Sequence, residues 1–192
     1  MEETAKDNVI VSNTCRRNKN GIGVYSNVVG PVKNNVFFGN LVDGAGFMGG
    51  AVASTTRCIF GGGYTGPAAY NTLEYVTIQS TGNGVDFGDL IEAANAGASL
   101  ASSTRGVFAG GNTHNYTANQ NRIQYFTIAS TGNTVDYGDL ITAKCMMSGA
   151  SNSTRGLFLG GFSPSHEDEI EYITIATKGN AIDFGDLTTP RS

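Results

Sequence analysis

The sequence predicts an all-β protein built from repeated four-stranded sheets. Three observations carry that prediction. VDFGDL at Val85–Leu90 returns as VDYGDL at Val135–Leu140 and as IDFGDL at Ile182–Leu187. The spacing around each copy is fixed: 11 residues separate Tyr75 from Asp86, Tyr125 from Asp136 and Tyr172 from Asp183, and 19 separate Asp86 from Arg105 and Asp136 from Arg155. No window sustains a 3.6-residue apolar period, and the apolar runs are rich in Val, Ile, Thr, Tyr and Phe, which favour strands. A unit of this length cannot bury its own apolar faces and must stack on copies of itself.

Each repeat reads as four short strands. The first is a run of small residues, Ala96–Ala101 or Met146–Ser151, suited to a crowded inner edge. A Ser/Thr turn carrying Arg57, Arg105 or Arg155 leads to the second strand, Arg105–Ala109 in the middle repeat, which closes on glycines. The third, Ile123–Ala129, has apolar groups on both sides, as a sheet packed on both faces by its neighbours requires; propeller blades are packed so. Ser80–Asn83 and Ser130–Asn133 read as turns, because Gly and Asn tolerate left-handed φ. The fourth strand is Thr134–Leu140. Phe60, Phe108 and Phe158 share one place ahead of the glycines and are expected to be buried between sheets.

All length variation lies between the glycines and the second apolar run. Arg57 to Tyr75 spans 18 residues, Arg105 to Tyr125 spans 20, and Arg155 to Tyr172 spans 17. The loops Tyr64–Thr72, Asn112–Arg122 and Phe162–Glu169 diverge in sequence too and are expected to share one face, the pattern by which repeat proteins vary a binding surface. The candidate contact residues are Tyr64, Tyr70, His114, Asn115, Tyr116, His166, Glu167 and Asp168. Tyrosine joins a large rigid contact area to a polar tip, which suits glycan or protein surfaces.

Nothing in the pattern points to catalysis, a cofactor or a metal, so a non-enzymatic protein is expected. Arg57, Arg105 and Arg155 recur in step with Asp86, Asp136 and Asp183, which reads as a ladder of pairs fixing a turn. Asp89, Asp139 and Asp186 read as carboxylates accepting backbone N–H groups. The two histidines, His114 and His166, sit in variable loops, and no carboxylate–His–Ser order emerges. Cys15, Cys58 and Cys145 are few and far apart, which suggests buried thiols of a reducing compartment rather than disulfides or a zinc site. A net charge of −4 argues against a nucleic-acid partner. There is no run of about 18 apolar residues, so no membrane-spanning helix is expected. The start, MEETAKDN, is acidic and polar, unlike a signal peptide.

A strand ending in Gly-Gly, a variable loop, an aromatic strand, an outer strand and a small-residue strand follow one another in the order of kelch repeats, and the chain resembles kelch-type β-propellers. Gly62-Gly63 (or Gly61-Gly62), Gly110-Gly111 and Gly160-Gly161 match the diglycine, and Tyr75, Tyr125 and Tyr172 match the Tyr after it. Phe87, Tyr137 and Phe184 stand where kelch repeats carry Trp, which this chain lacks. The variant with STRG, TGN and DFGDL resembles repeats of virion structural proteins from tailed phages, marine ones in particular. The resemblance implies propeller blades over 42–90, 91–140 and 141–187, a short C-terminal tail, and a degenerate first repeat or attachment segment over 1–41.

Four units of about 48 residues would fill the chain, and propellers have roughly four to eight blades. A four-bladed ring, an open arc completed by other chains and a shortened relative of longer proteins all fit, and association with other subunits is the favoured expectation. The implied function is a virion structural or adhesion module in a tail fibre, tail or capsid. It would be made in the host cytoplasm and would contact other virion proteins, copies of itself, or host-surface glycan or protein. The alternative is an intracellular kelch-type adaptor for protein–protein interaction.

Overall fold

The computed structural model describes residues 50–64, 69–113 and 118–192. The degenerate repeat expected over 1–41 lies outside them. The described residues form twelve strands. Sheet 1 holds β1 (Gly50–Ala53), β2 (Arg57–Gly61), β3 (Thr72–Thr77) and β4 (Val85–Asp89). Sheet 2 holds β5 (Ala98–Ala101), β6 (Arg105–Ala109), β7 (Arg122–Thr127) and β8 (Val135–Asp139). Sheet 3 holds β9 (Ser148–Ser151), β10 (Arg155–Leu159), β11 (Glu169–Thr174) and β12 (Ile182–Asp186). Each sheet is an antiparallel meander with its strands in chain order.

The register repeats as closely as the sequence does. Ile59 pairs with Tyr75, Val107 with Tyr125 and Leu157 with Tyr172. A bulge falls at Leu73/Glu74, Ile123/Gln124 and Ile170/Glu171, always where the third strand meets the fourth. It leaves Phe87, Tyr137 and Phe184 unpaired. An extra residue on one strand re-aims a side chain, and here it turns the aromatic ring of the fourth strand out of the ladder.

Two cores follow, both between sheets. Val52, Ile59, Leu73, Phe87 and Leu90 of sheet 1 pack against Phe108, Phe126 and Ile128 of sheet 2. Leu100, Val107, Ile123, Tyr137 and Leu140 of sheet 2 occupy the same positions and pack against Phe158, Ile173 and Ile175 of sheet 3. Phe87 meets Phe126 edge-on at 5.1 Å, and Phe126 stacks on Phe108 at 5.8 Å. Sheet 2 is therefore covered on both faces, which is why its strands are apolar on both sides.

Polar groups complete the joint. The segment expected as a turn at Ser130–Asn133 does more than turn. The reversal itself is one step earlier, where the Ser130 N–H donates to the Thr127 carbonyl at 3.3 Å. The following residues then run along the fourth strand of the preceding sheet. Gly132 N–H donates to the Phe87 carbonyl at 2.7 Å, Thr134 N–H to the Asp89 carbonyl at 2.8 Å, and Asp89 N–H to Asn133 Oδ1 at 3.0 Å. Gly179, Ala181 and Asn180 clasp Tyr137 and Asp139 in the same way. Gly88 and Gly138 lie at φ +143° and +154°, and a Cβ there would collide with the Gly132 and Gly179 backbone. Glycine in this motif is required by both conformation and space.

The small first strands lie side by side. Ser99 Oγ donates to the Ala51 carbonyl at 2.9 Å and accepts from its N–H at 3.2 Å, and Ser151 does the same to Ala101. These strands begin two residues later than the sequence suggested. Ala96 and Met146 adopt φ of +53° and +56°, and a left-handed residue cannot continue a strand.

Phe87, Tyr137 and Phe184 fill one motif position but differ in exposure: 1%, 3% and 52%. In dilute protein, Phe87→Ala should therefore cost about 3–5 kcal/mol, the range for truncating a buried Phe. Phe184→Ala should cost about 0.5 kcal/mol or less, as surface changes do. Urea unfolding of the two variants measures the difference directly.

Candidate functional site

The described ends of the three variable loops lie at one end of the sheets, and hydrogen bonds interleave them with the links between sheets. In sheet 1, Gly63 N–H donates to the Ala94 carbonyl at 2.8 Å. Asn95 and Asn112 exchange backbone bonds at 3.0 and 2.8 Å, tying that link to the second loop. Gly111 N–H then reaches the Lys144 carbonyl at 3.0 Å, Cys145 and Phe162 exchange bonds, and Gly161 N–H reaches Arg191 at 2.9 Å. Each loop opens on a diglycine with φ near +60° and then above +100°. Those angles assign the first diglycine to Gly62-Gly63.

Of the candidate residues, His114, Asn115 and Tyr116 lie outside the described ones. Tyr64 bridges to Ala69 at the base of its loop and is half-buried. Tyr70 is 47% exposed, the open aromatic of this end among the described residues. His166 is exposed, packs edge-on against Phe162 at 5.7 Å and lies 2.9 Å from Ser192 Oγ through Nδ1. The main chains of Tyr70, Glu167 and Asp168 belong to the framework. The Tyr70 carbonyl accepts from Ala94 N–H and the Glu167 carbonyl from Arg191 N–H, as the Gln120 carbonyl does from Lys144 N–H. The Asp168 carbonyl accepts from Leu187 N–H as Asn121 does from Leu140 N–H. At these positions only the side chains are free to vary.

The repeated charges take other partners than the sequence suggested. Arg57, Arg105 and Arg155 do not pair with Asp86, Asp136 and Asp183; their guanidinium groups lie over Tyr75, Tyr125 and Tyr172 at 4.6, 4.3 and 4.6 Å. From there Arg57 donates to the Ile128 and Ala129 carbonyls at 3.2 and 2.9 Å, and Arg105 to the Ile175 carbonyl at 2.7 Å. Each donates to the next sheet. Asp136 pairs instead with Arg122 at 3.4 Å. Asp89 and Asp139 contribute backbone N–H groups to the clasp rather than accepting with their carboxylates. Among the described residues no three His, Cys, Asp or Glu side chains gather as for a metal ion.

Sequence reasoning missed two buried polar groups. One is a chain of amides: Asn95 Nδ2 donates to the Asn112 carbonyl at 2.9 Å, Asn112 Nδ2 to Asn119 Oδ1 at 2.9 Å, and Asn119 Nδ2 to the Phe162 carbonyl at 2.8 Å. The other is an ion cluster. Lys144, fully buried, lies 2.6 Å from Glu171 Oε1 and 3.0 Å from Glu169 Oε2. Glu171 Oε2 accepts from Ile141 N–H at 2.8 Å, the place Gln124 Oε1 takes for Ile91 N–H. Lys144 and Glu171 thus replace Ala94 and Gln124 of the preceding joint. The fixed spacing aligns these pairs, and a charge appearing opposite a charge at two aligned positions is the signal that would have found them.

Both described cysteines are buried and free, and burial pushes the Cys58 thiol up to about 12. Thiols so held are inert. Burial also raises the Tyr137 hydroxyl, against the lowering influence of Arg105. Its oxygen lies 2.6 Å from the Thr174 and Thr177 carbonyls, so it donates across the joint. A cavity of about 10 Å³, room for one water, lies beneath the glycines, bordered by Leu90, Phe108 and Gln124. Small-molecule sites usually need roughly 300–1,000 Å³.

Burial raises the Glu171 carboxyl above its ordinary value, while Lys144 lowers it. A raised carboxyl favours folding below the ordinary carboxylate range and loses that contribution as pH rises through the folded value. Lys144→Ala leaves Glu171 buried without its cation and should cost about 3–5 kcal/mol near neutral pH. The loss should shrink as pH falls and Glu171 takes up a proton. Lys144→Ala with Glu171→Gln restores the preceding joint's pair and should cost much less than the single change. Denaturation at several pH values reads both effects.

No protein-family model matches the chain, and no curated protein matches it in sequence.

Proposed function

We propose that this chain is a non-enzymatic recognition and assembly module built of kelch-type β-propeller blades, serving as a virion structural or adhesion protein of a tailed phage. The observation that supports a recognition role is the loop end. The segments that vary in length and sequence gather there on a hydrogen-bonded frame that does not vary. That is the economy of scaffold-borne binding loops. Phe162 and His166 meet edge-on there, Tyr70 stands exposed, and aromatic side chains with polar tips suit glycan and protein surfaces. The blade reading is supported by the face-to-face cores on both sides of sheet 2 and by the side-by-side small first strands. The virion assignment rests on the sequence resemblance.

Two experiments test this reading. Mass spectrometry of purified particles of a phage encoding the chain should find it in stoichiometric amount, and its absence would refute the virion assignment. Tyr70→Ala with His166→Ala should weaken binding to host-cell surface or glycan array at least tenfold with the melting temperature unchanged. Unchanged binding would move the contact surface away from this loop end.

A further inference from the structure

We propose that copies of this chain join head to tail through sheet 3 of one copy and sheet 1 of the next. The joint would repeat the two already present inside the chain, so the proposal does not depend on the virion reading.

The tail is sheet 3. Its outer face carries Leu157, Ile170, Phe184 and Leu187 at the positions of Val107, Ile123, Tyr137 and Leu140. Those four are buried in sheet 2, whereas the sheet 3 residues are half-buried or exposed. Exposure of this kind is confined to the joint positions. Val85, Val135 and Ile182, at an outward position shared by all three sheets, are exposed in every one. Gly185 adopts φ +132°, close to its counterparts Gly88 and Gly138, but no atom lies within 4 Å of where its Cβ would stand. The next turn crosses that very space in the two internal joints. Arg155 is stacked on Tyr172 like its counterparts, but its guanidinium makes no hydrogen bond among the described residues, whereas Arg57 and Arg105 donate to the next sheet.

The head is sheet 1. Its Thr81–Gly84 turn corresponds to Thr131–Thr134 and Lys178–Ala181, which clasp the preceding sheet. The Thr81–Gly84 turn is exposed, nothing lies within 4 Å of a Cβ on Gly82, and Asn83 makes no hydrogen bond among the described residues. Its fixed motif is complete, with no strand to hold among the described residues. Val76 and Ile78, at the positions of Phe126 and Ile128, are only half-buried. The two ends are complementary group by group. Gly82 and Gly84 N–H groups face the Phe184 and Asp186 carbonyls, Asn83 faces Asp186 N–H, and the Ile78 carbonyl faces Arg155. A second copy is thus the occupant that supplies every missing partner. Because the two surfaces differ, the contact is heterologous and generates closed rings, of which two copies with six sheets are the smallest, or open filaments.

The test uses two substitutions at exposed positions, Phe184→Lys on the tail and Asn83→Lys on the head. Circular dichroism and melting curves should show both folded. By analytical ultracentrifugation the unaltered chain should associate as concentration rises, as a two-copy ring or a larger species. Each variant alone should sediment as the 20.0 kDa monomer. An equimolar mixture should give a dimer and nothing larger, because it holds one intact tail and one intact head. A wild-type chain that stays monomeric would overturn the proposal, and so would assembly that survives either substitution. A wild-type dimer closed as a ring by two joints should dissociate at a lower concentration than the one-joint dimer of the mixture, and a wild-type dimer no tighter than that one would indicate a like-with-like contact and would equally refute it.

Discussion

The structure depends on one joint: a Gly-Asn segment of sheet 2, and again of sheet 3, laid along the fourth strand of the sheet before it. A fourth strand is an edge, and an edge exposes a row of unpaired N–H and C=O groups. Here the next sheet covers that edge with three hydrogen bonds, to Phe87 and Asp89 in one case and to Tyr137 and Asp139 in the other. The same contact presses the aromatic ring of the fourth strand into the gap between sheets. Backbone satisfaction and apolar burial are thus achieved by a single motif, so Asp-aromatic-Gly-Asp and Gly-Asn recur together. Neither half is stable alone, because each finds its partner in another repeat.

Around that joint the remaining repeated residues fall into place. The arginine of the first turn lies over the tyrosine of the third strand and reaches past it to carbonyls of the neighbouring sheet. Cation–π contact fixes the guanidinium while leaving its donors free, so one residue ties strands within a sheet and sheets to each other. The serines of the first strands bridge neighbouring sheets at the inner side, where small residues let backbones approach. The second joint adds a buried lysine and glutamate where the first has alanine and glutamine. A buried ion pair rarely raises stability over an apolar or neutral pair, so the two joints differ in charge while holding the same geometry.

Much of this was legible in the sequence. The period and the spacings gave the four strands per repeat, and Phe108 and Phe158 are buried as their place before the glycines implied. What stayed hidden has a common cause. Ser-Thr-Gly-Asn has the composition of a turn, and nothing local shows that its backbone reaches another sheet. Arg105 and Asp136 recur in step, but recurrence gives no distance, and the arginine's partner is an aromatic ring. Ala96 and Met146 look like strand residues and are left-handed, because the link between sheets must reverse there. At the loop end, Tyr70, Glu167 and Asp168 were read as freely variable. Their carbonyls belong to the frame, a role that any side chain permits and that no sequence pattern marks.

The central claim is that the Gly-Asn segments of sheets 2 and 3 are structural clasps rather than solvent-exposed turns, and native-state amide hydrogen exchange tests it most directly. At dilution that keeps the chain monomeric, the N–H groups of Gly132, Thr134, Gly179 and Ala181 should exchange as slowly as those of the strands they hold, because each opens only when two sheets part. Gly82 and Gly84, which hold nothing among the described residues, should exchange at the rate of free turns. Fast exchange at Gly132 and Gly179, equal to that at Gly82, would contradict the account.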